Sequence, residues 1–420
     1  MTSGTVVSEL TQSKIRSTVC VSGEPSNLVR EGSSMIGLKA LVPFSAALIV
    51  LTSLAGVPTG LKNASSAATH TTNGKALKEF AAIHPIDAHV HVFRTAPEFQ
   101  KMLEEEQLTL LNILVFDDTW GPRNKLQPQI DAAWRLVDGS GGHVKLCTTF
   151  DPYQFNSPGF PAESIEQVNR DFHRGAIAMK IWKNFGMEVK DTRGRYVLPD
   201  DPKLQPIFED LVRQDRTLLA HLAEPDLAWQ ELDVKKDPLS AYYLESPQWH
   251  MLDKPGAPSK RTILEARDHI LERNPRLRVV GVHLGSMEKD LDNLARHLDR
   301  YSNFAVDTAA RMEYLEFDDR EKVRAFLIKY QDRVIYGTDL DINPDANVHR
   351  AVQQWKDMYA SDWRFLATNE TLKIDGRTVR GLDLPQGVLQ KIYRTNAQHW
   401  IKGLEDEQFS DVVPLPGHRD

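Results

Sequence analysis

The segment Asp87-Ala-His89-Val-His91 carries two imidazoles two residues apart. Alternate side chains of a strand share a face, so Asp87, His89 and His91 are all expected to point into one interior. Two neutral imidazoles so placed can chelate one Zn2+-like ion, with each nitrogen about 2.0–2.1 Å from it. Alone, such a pair arises by chance, as two part-exposed histidines at a strand end. It gains weight because three other apolar runs also finish on a polar residue: Leu218-Leu-Ala-His221, Gly281-Val-His283-Leu-Gly285 and Tyr336-Gly-Thr-Asp339. A buried polar group in such a place needs a partner, since leaving it unpaired is costly. One of them would be an ordinary satisfied core residue. Five of them converging on one mouth by accident is hard to credit.

These residues need a scaffold that gathers strand ends. Eight short apolar runs rich in β-branched residues alternate with longer amphipathic segments, the pattern of parallel βα units. The runs are Pro85–Phe93, Leu108–Phe116, His143–Phe150, Ala176–Trp182, Thr217–Glu224, Arg278–Ser286, Phe304–Ala309 and Arg333–Asp339. Helices are expected over Ala162–Arg174, Lys203–Arg213, Lys260–Arg273, Met287–Tyr301 and Arg320–Tyr330. Eight alternations fit one α/β domain, a closed (β/α)8 TIM barrel, better than a doubly wound open sheet. Two insertions leave from strand C-termini, where barrel enzymes build their sites: residues 225–258 after the fifth strand and 341–380 after the eighth. The aromatics of the first (Trp229, Tyr242, Tyr243, Trp249) either shape a substrate pocket or cover the barrel edge.

Two cationic side chains fall near the expected mouth. Lys180, in Ala178-Met-Lys180-Ile-Trp182, is a substrate or ion-pair partner within the site, or merely a solvated strand-end lysine. Arg311, after the seventh strand, can grip a carboxylate in two-pronged fashion or pair with a nearby Glu. Asp117 and Asp118 read better as helix caps than as substrate contacts, and Asn369-Glu-Thr371 as a chance match to a glycosylation acceptor.

The chain has 420 residues, a formal net charge of -7 and 26% charged residues, with no basic stripe interleaved with aromatics. That composition argues against a nucleic-acid partner; a small-molecule substrate is the expected partner, and homo-oligomerisation is left open. The two cysteines, Cys20 and Cys147, give no disulfide framework. Residues 35–62 have secretory-signal grammar: Lys39, an apolar run over Leu41–Val57, then small residues. Export to a periplasmic or extracellular space is therefore expected, an uncleaved membrane anchor being the alternative, with no membrane insertion of the catalytic domain. The expected organisation is an extension over 1–62, a linker over 63–80, the barrel over 81–402 and a tail over 403–420. A chain beginning near Ala81 should then suffice for folding.

The set Asp87-x-His89-x-His91, His221, His283 and Asp339 resembles the amidohydrolase superfamily, in particular its amidohydrolase-related branch. The segment Lys391-Ile-Tyr-Arg-Thr-Asn396-Ala397 is similar to a C-terminal helix motif of that branch, and the resemblance spans roughly residues 82–402. It implies that His89, His91, His221 and Asp339 hold one divalent ion, Zn2+ being the expected one, with His283 beside it. It also adds a third reading of Lys180, as a carboxylated bridge to a second ion. The implied mechanism is hydrolysis of a small anionic lactone, amide or ester, with Lys180 and Arg311 binding substrate. Asp339 would move the proton and His283 would stabilise the oxyanion. The branch also holds non-oxidative decarboxylases, so a lyase is the runner-up; a catalytically inactive metal-binding barrel is the reading from another class.

Overall fold

The computed structural model describes residues 73–116, 126–344 and 346–405. The leader with Cys20, the pair Asp117 and Asp118, and the residues after 405 lie outside the described residues. Each apolar run supplies a strand, shorter than the run itself: β1 (Ile86–Val92), β2 (Thr109–Ile113), β3 (Val144–Thr148), β4 (Ala178–Ile181), β5 (Thr217–Ala220), β6 (Val279–Gly281), β7 (Phe304–Asp307) and β8 (Val334–Ile335). Each pairs in parallel with its neighbours in sequence. A further strand, β9 (Leu340–Ile342), pairs in parallel with the other edge of β1.

Strands β8 and β9 are two halves of one interrupted strand, and together they close the ring. Between them the Tyr336 carbonyl accepts from the Ala88 amide at 3.0 Å, and the Asp339 amide donates to the His89 carbonyl at 2.8 Å. Closure gives the TIM-type barrel and excludes the open sheet. The interruption needs two unusual residues. Asp339 takes a left-handed conformation (φ 66). Gly337 lies so close to β1 that a Cβ there would sit 2.9 Å from the Cβ of His89.

The interior of the barrel is filled by Leu111, Cys147, Ala178, Leu219, Val280, Ala305 and Ile335, and by Ile86 and Ala88 from β1. Its lower end is plugged by Ala397, Trp400, Ile401 and Leu404. Asn396, in the C-terminal motif, donates to the carbonyls of Gln331 and Val334, each at 2.7 Å. The motif therefore fastens the plug to the strand that closes the ring.

One expectation about β1 is corrected here. Asp87 does not share a face with the two histidines, because the register shifts between Asp87 and Val90. A bulge adds a residue to one strand and so breaks the two-residue alternation. Asp87 turns outward to Tyr359, whose hydroxyl donates to Oδ2 at 2.9 Å. It also receives the Thr338 amide and hydroxyl and the His89 amide, tying the two site-bearing strands together.

The expected helices form with ends set by capping and proline. Lys260–Arg273 follows Ser259, whose side chain accepts from the Thr262 amide. The helix expected from Met287 starts instead at Leu291, because Asp290 caps it through the Asn293 amide. Gln205–Arg213 begins with Pro206 in its first turn. The insertion after β5 contains short helical turns at Asp226–Trp229 and Pro247–Trp249 and a helix at Ser240–Glu245. The insertion after β9 is the helix Val348–Ala367 followed by the hairpin of β10 (Thr371–Ile374) and β11 (Arg377–Arg380). Among the described residues no helix is long and apolar enough to cross a membrane.

The stretch read as a linker ends differently from expectation. Residues 73–81 are helical, and Ala76 and Phe80 are buried. The Phe80 ring stacks on Tyr359 with 5.1 Å between centroids and meets Tyr393 edge-on at 5.4 Å. A chain beginning near residue 81 would lose this ring, so the dispensable part must stop earlier. Phe80→Ala should cost about 3–5 kcal/mol of unfolding free energy, as for other buried aromatics, and a chain beginning at residue 82 should lose at least as much. Chemical denaturation would show it; equal midpoints for Phe80→Ala and the unaltered chain would refute the packing role.

Candidate metal centre

The barrel mouth collects polar side chains whose hydrogen bonds settle how each ring faces. The Nδ1 of His89 lies 2.9 Å from Oδ2 of Asp307, that of His91 lies 2.8 Å from the Ile113 carbonyl, and that of His283 lies 2.7 Å from the Ala309 carbonyl. Carbonyls and carboxylates accept, so each Nδ1 carries the proton and donates. The Nε2 atoms are left as lone pairs, and they converge. Nε2 of His89 is 3.3 Å and Nε2 of His91 is 3.1 Å from Oδ1 of Asp339. One ligand atom each from His89, His283 and Asp339 lies within 4.8 Å of the other two.

Burial, more than any neighbour, drives the pKa of His89, His221 and His283 well below the usual imidazole range, so these rings are neutral. Burial also works against an ionised Asp339, and neutral rings that turn lone pairs onto it give no compensation. Neutral nitrogen lone pairs turned onto a carboxylate oxygen repel one another unless a cation lies among them. The donor set therefore fits a divalent ion, with an acceptor behind each of the three rings to hold its other nitrogen.

His221 joins this group indirectly. Its Nδ1 accepts the indole N–H of Trp182 at 3.0 Å and lies 3.2 Å from Nε2 of His283, while its Nε2 is buried with no hydrogen-bond partner. His283 stands in the closest group, nearer to His89 and Asp339 than the resemblance implied. The reason is backbone geometry: β6 stops at Gly281, and His283 (φ 60), Leu284 (φ 54), Gly285 (φ 62) and Ser286 (φ 58) form a left-handed turn. For an L-residue that conformation costs roughly 1–2 kcal/mol, so the turn must be held from outside. The same geometry corrects the expected role of His283 as an oxyanion donor. Its single N–H is spent on Ala309, and the neutral ring offers only a lone pair towards the centre.

Lys180 is fully buried, which overturns the solvated strand-end reading. Its Nζ lies 3.0 Å from Nε2 of His89, and burial pulls its pKa down to about 8, partly offset by Asp339 and Asp307. Arg311 lies with Nε 3.9 Å from Oε2 of Glu288, and neither of these buried atoms has a hydrogen-bond partner. The Glu partner considered from sequence exists, but the pair is too loose to satisfy the guanidinium. Tyr243 and Trp249 of the insertion are buried in packing contacts. Trp249 meets Trp182 edge-on at 5.0 Å, and the Tyr243 hydroxyl donates to Glu224 at 3.2 Å. Lys183 is buried between Glu224 and the faces of Trp182 and Trp249.

Sequence reasoning missed Asp307 and the Lys183–Glu224 pair. Asp307 was findable, since it ends the apolar run Phe304-Ala-Val-Asp307 as the other site residues end theirs. Its Oδ1 receives the amides of His283 at 2.7 Å and Ala309 at 3.2 Å.

The sequence matches the family model described as Amidohydrolase over residues 86–401. The chain belongs to the amidohydrolase family. Among curated proteins no relative matches. Solved structures similar to this amidohydrolase include 2,6-dihydroxybenzoate decarboxylase complexed with 2,6-dihydroxybenzoate, at 14% identity and a TM-score of 0.45, covering 75% of this chain and 98% of that one. Another is 4-oxalomesaconate hydratase from Rhodopseudomonas palustris, at 13% identity and a TM-score of 0.43, covering 75% and 94%. A third is dihydroorotase from Campylobacter jejuni, at 11% identity and a TM-score of 0.39, covering 75% and 82%.

Asp307 orients His89 without belonging to the His89, His283 and Asp339 group itself. Asp307→Asn should leave this amidohydrolase folded and weaken binding of an added divalent ion by about 10–100-fold, the usual cost of losing such a partner. Competition against a chromogenic chelator measures it, and unchanged affinity would remove Asp307 from the centre.

Proposed function

We propose that this amidohydrolase is a metal-dependent hydrolase acting on a small anionic carbonyl compound: a lactone, an amide or an ester. The observation that carries the proposal is the convergence of the His89 and His91 Nε2 lone pairs on Oδ1 of Asp339. His89, His91, His221 and Asp339 would hold one divalent ion, Zn2+ first, with His283 beside them; His221 would have to release the Trp182 indole to do so. When bound, such an ion supplies Lewis acidity for the attacked carbonyl and acidifies water.

The chain's own residues do the rest. Asp339 takes the proton from the attacking water at its carboxylate and returns it to the leaving group. His283 presents the Nε2 lone pair to the same water and fixes its direction. Lys180 and Arg311 supply the positive charge that selects an anionic substrate; Arg311 has an unsatisfied Nε, and its charge is felt at His89, His221 and His283. The Trp182 and Trp249 rings keep water from the flank of the centre.

Asp339→Asn keeps the shape of the side chain but cannot take up a proton near neutral pH. It should lower kcat by at least the ~10²-fold typical of losing a general base, with the fold kept and metal content only partly reduced. His283→Asn should cost less, since that residue orients water and does not carry the proton. Steady-state kinetics on lactones, amides, esters and carboxylated phenols checks both variants. Near-normal turnover by metal-loaded Asp339→Asn would exclude it as the base, and release of CO2 in place of a new acid or amine would replace hydrolysis with decarboxylation.

A further inference from the structure

The left-handed turn that carries His283 is held from two sides that have no direct contact with the imidazole cluster. On one side the Ser286 hydroxyl donates to the Leu222 carbonyl at 2.8 Å. On the other is Arg267, on the helix Lys260–Arg273, whose side chain is only 1% exposed. Its Nη1 donates to the Gly285 carbonyl at 2.8 Å, and its guanidinium lies 4.8 Å from the Phe304 ring centroid. The charge is balanced by Asp268, which receives Nη2 at 2.8 Å and Nε at 3.2 Å and whose second oxygen meets Nε2 of His297 at 3.0 Å.

A fully buried guanidinium is costly to desolvate and gains little net stability from its ion pair. A packing role at this position would be met as well by an apolar side chain. What an apolar side chain cannot do is satisfy the Gly285 carbonyl. Without that donor the carbonyl would be buried and unpaired, a penalty relieved by rotating the peptide out of the left-handed region. There is no slack for a small adjustment, since a Cβ on Gly285 would already meet Phe304 at 3.1 Å and Nη1 of Arg267 at 3.2 Å.

We infer that Arg267 is the positioning residue for His283: it holds the Gly285 carbonyl, keeps the turn left-handed and so aims the imidazole at His89 and Asp339. Its consequence for catalysis rests on the reading of His283 proposed above, but the alignment itself can be tested without metal or turnover. The probe is the ring Nδ1–H of His283, engaged with the Ala309 carbonyl, observed by NMR in the diamagnetic full-length protein with labelled histidine and assigned by its absence in His283→Asn. The ring protons of His89 on Asp307 and of His91 on the Ile113 carbonyl serve as internal controls.

In Arg267→Met, and again in Arg267→Gln, the His283 proton should vanish or exchange with water at least roughly tenfold faster through local opening of the turn, while both controls stay. Arg267→Lys, which keeps a charged donor, should restore much of the His283 signal. An unchanged His283 proton in folded Arg267→Met would overturn the inference. So would simultaneous loss of all three protons in both variants, which would assign Arg267 to general stability instead. Neither result would touch the hydrolase reading, which stands or falls on Asp339.

Discussion

The site depends on one buried carboxylate that is not itself turned towards the ion position. Asp307 accepts from the His89 ring on one oxygen and from the His283 and Ala309 amides on the other. It thus fixes the tautomer of His89 on β1 and the start of the left-handed turn after β6, from its own place on β7. Removing an acceptor from such a place would leave several buried donors unpaired, each at a cost of roughly 1–3 kcal/mol. The centre therefore reads as a chain of acceptors: Asp307, the Ile113 carbonyl and the Ala309 carbonyl consume the imidazole protons, so the lone pairs have to face inward.

Closure of the barrel and construction of the site are the same event. The interruption between β8 and β9 lets Asp339 turn its side chain to the two histidines while its amide pairs with the His89 carbonyl. Asp87 on the outer side of the bulge holds Thr338, next to Asp339, and the His89 amide with one carboxyl group. Burial pushes that carboxyl up to about 7, opposed by the hydrogen bonds from Thr338, His89 and Tyr359. The helix after β9 takes part through Tyr359, and the helix at 73–81 packs on Tyr359 in turn. Elements that look peripheral in chain order thereby brace the strands that carry the ligands.

The mouth holds buried cations beside its carboxylates. Lys180, Lys183 and Arg311 are cations in or beside a ring of neutral imidazoles, and two of the three are fully or almost fully buried. Lys183 is satisfied by Glu224 and by aromatic faces, which leaves Lys180 and Arg311 as the groups with charge to offer. The insertion after β5 supplies part of that arrangement by bringing Trp249 and Tyr243 against Trp182 and Glu224. Tyr243 and Trp249 are fully buried there, so they pack against the barrel edge as one of the two readings from sequence has it.

By itself the sequence determined the barrel and most of its mouth. Apolar runs alternating with amphipathic segments reflect the local demand of burying one strand and one helix face per unit. Polar residues at the run ends, His89, His91, His221, His283 and Asp339, stand out against that background. Asp307 obeyed the same rule and could have been read with them. Only the tertiary structure decided which way those residues point. The bulge that turns Asp87 outward, the left-handed turn that carries His283 inward and the interruption before Asp339 all break the regular strand period. They exist because contacts far away in sequence, from Tyr359, Arg267 and the His89 carbonyl, satisfy the groups that the irregular backbone exposes. The helix at 73–81 shows the same division: it follows a Ser/Thr/Ala-rich stretch and reads as linker with it, and only the aromatic cluster around Phe80 makes it part of the fold.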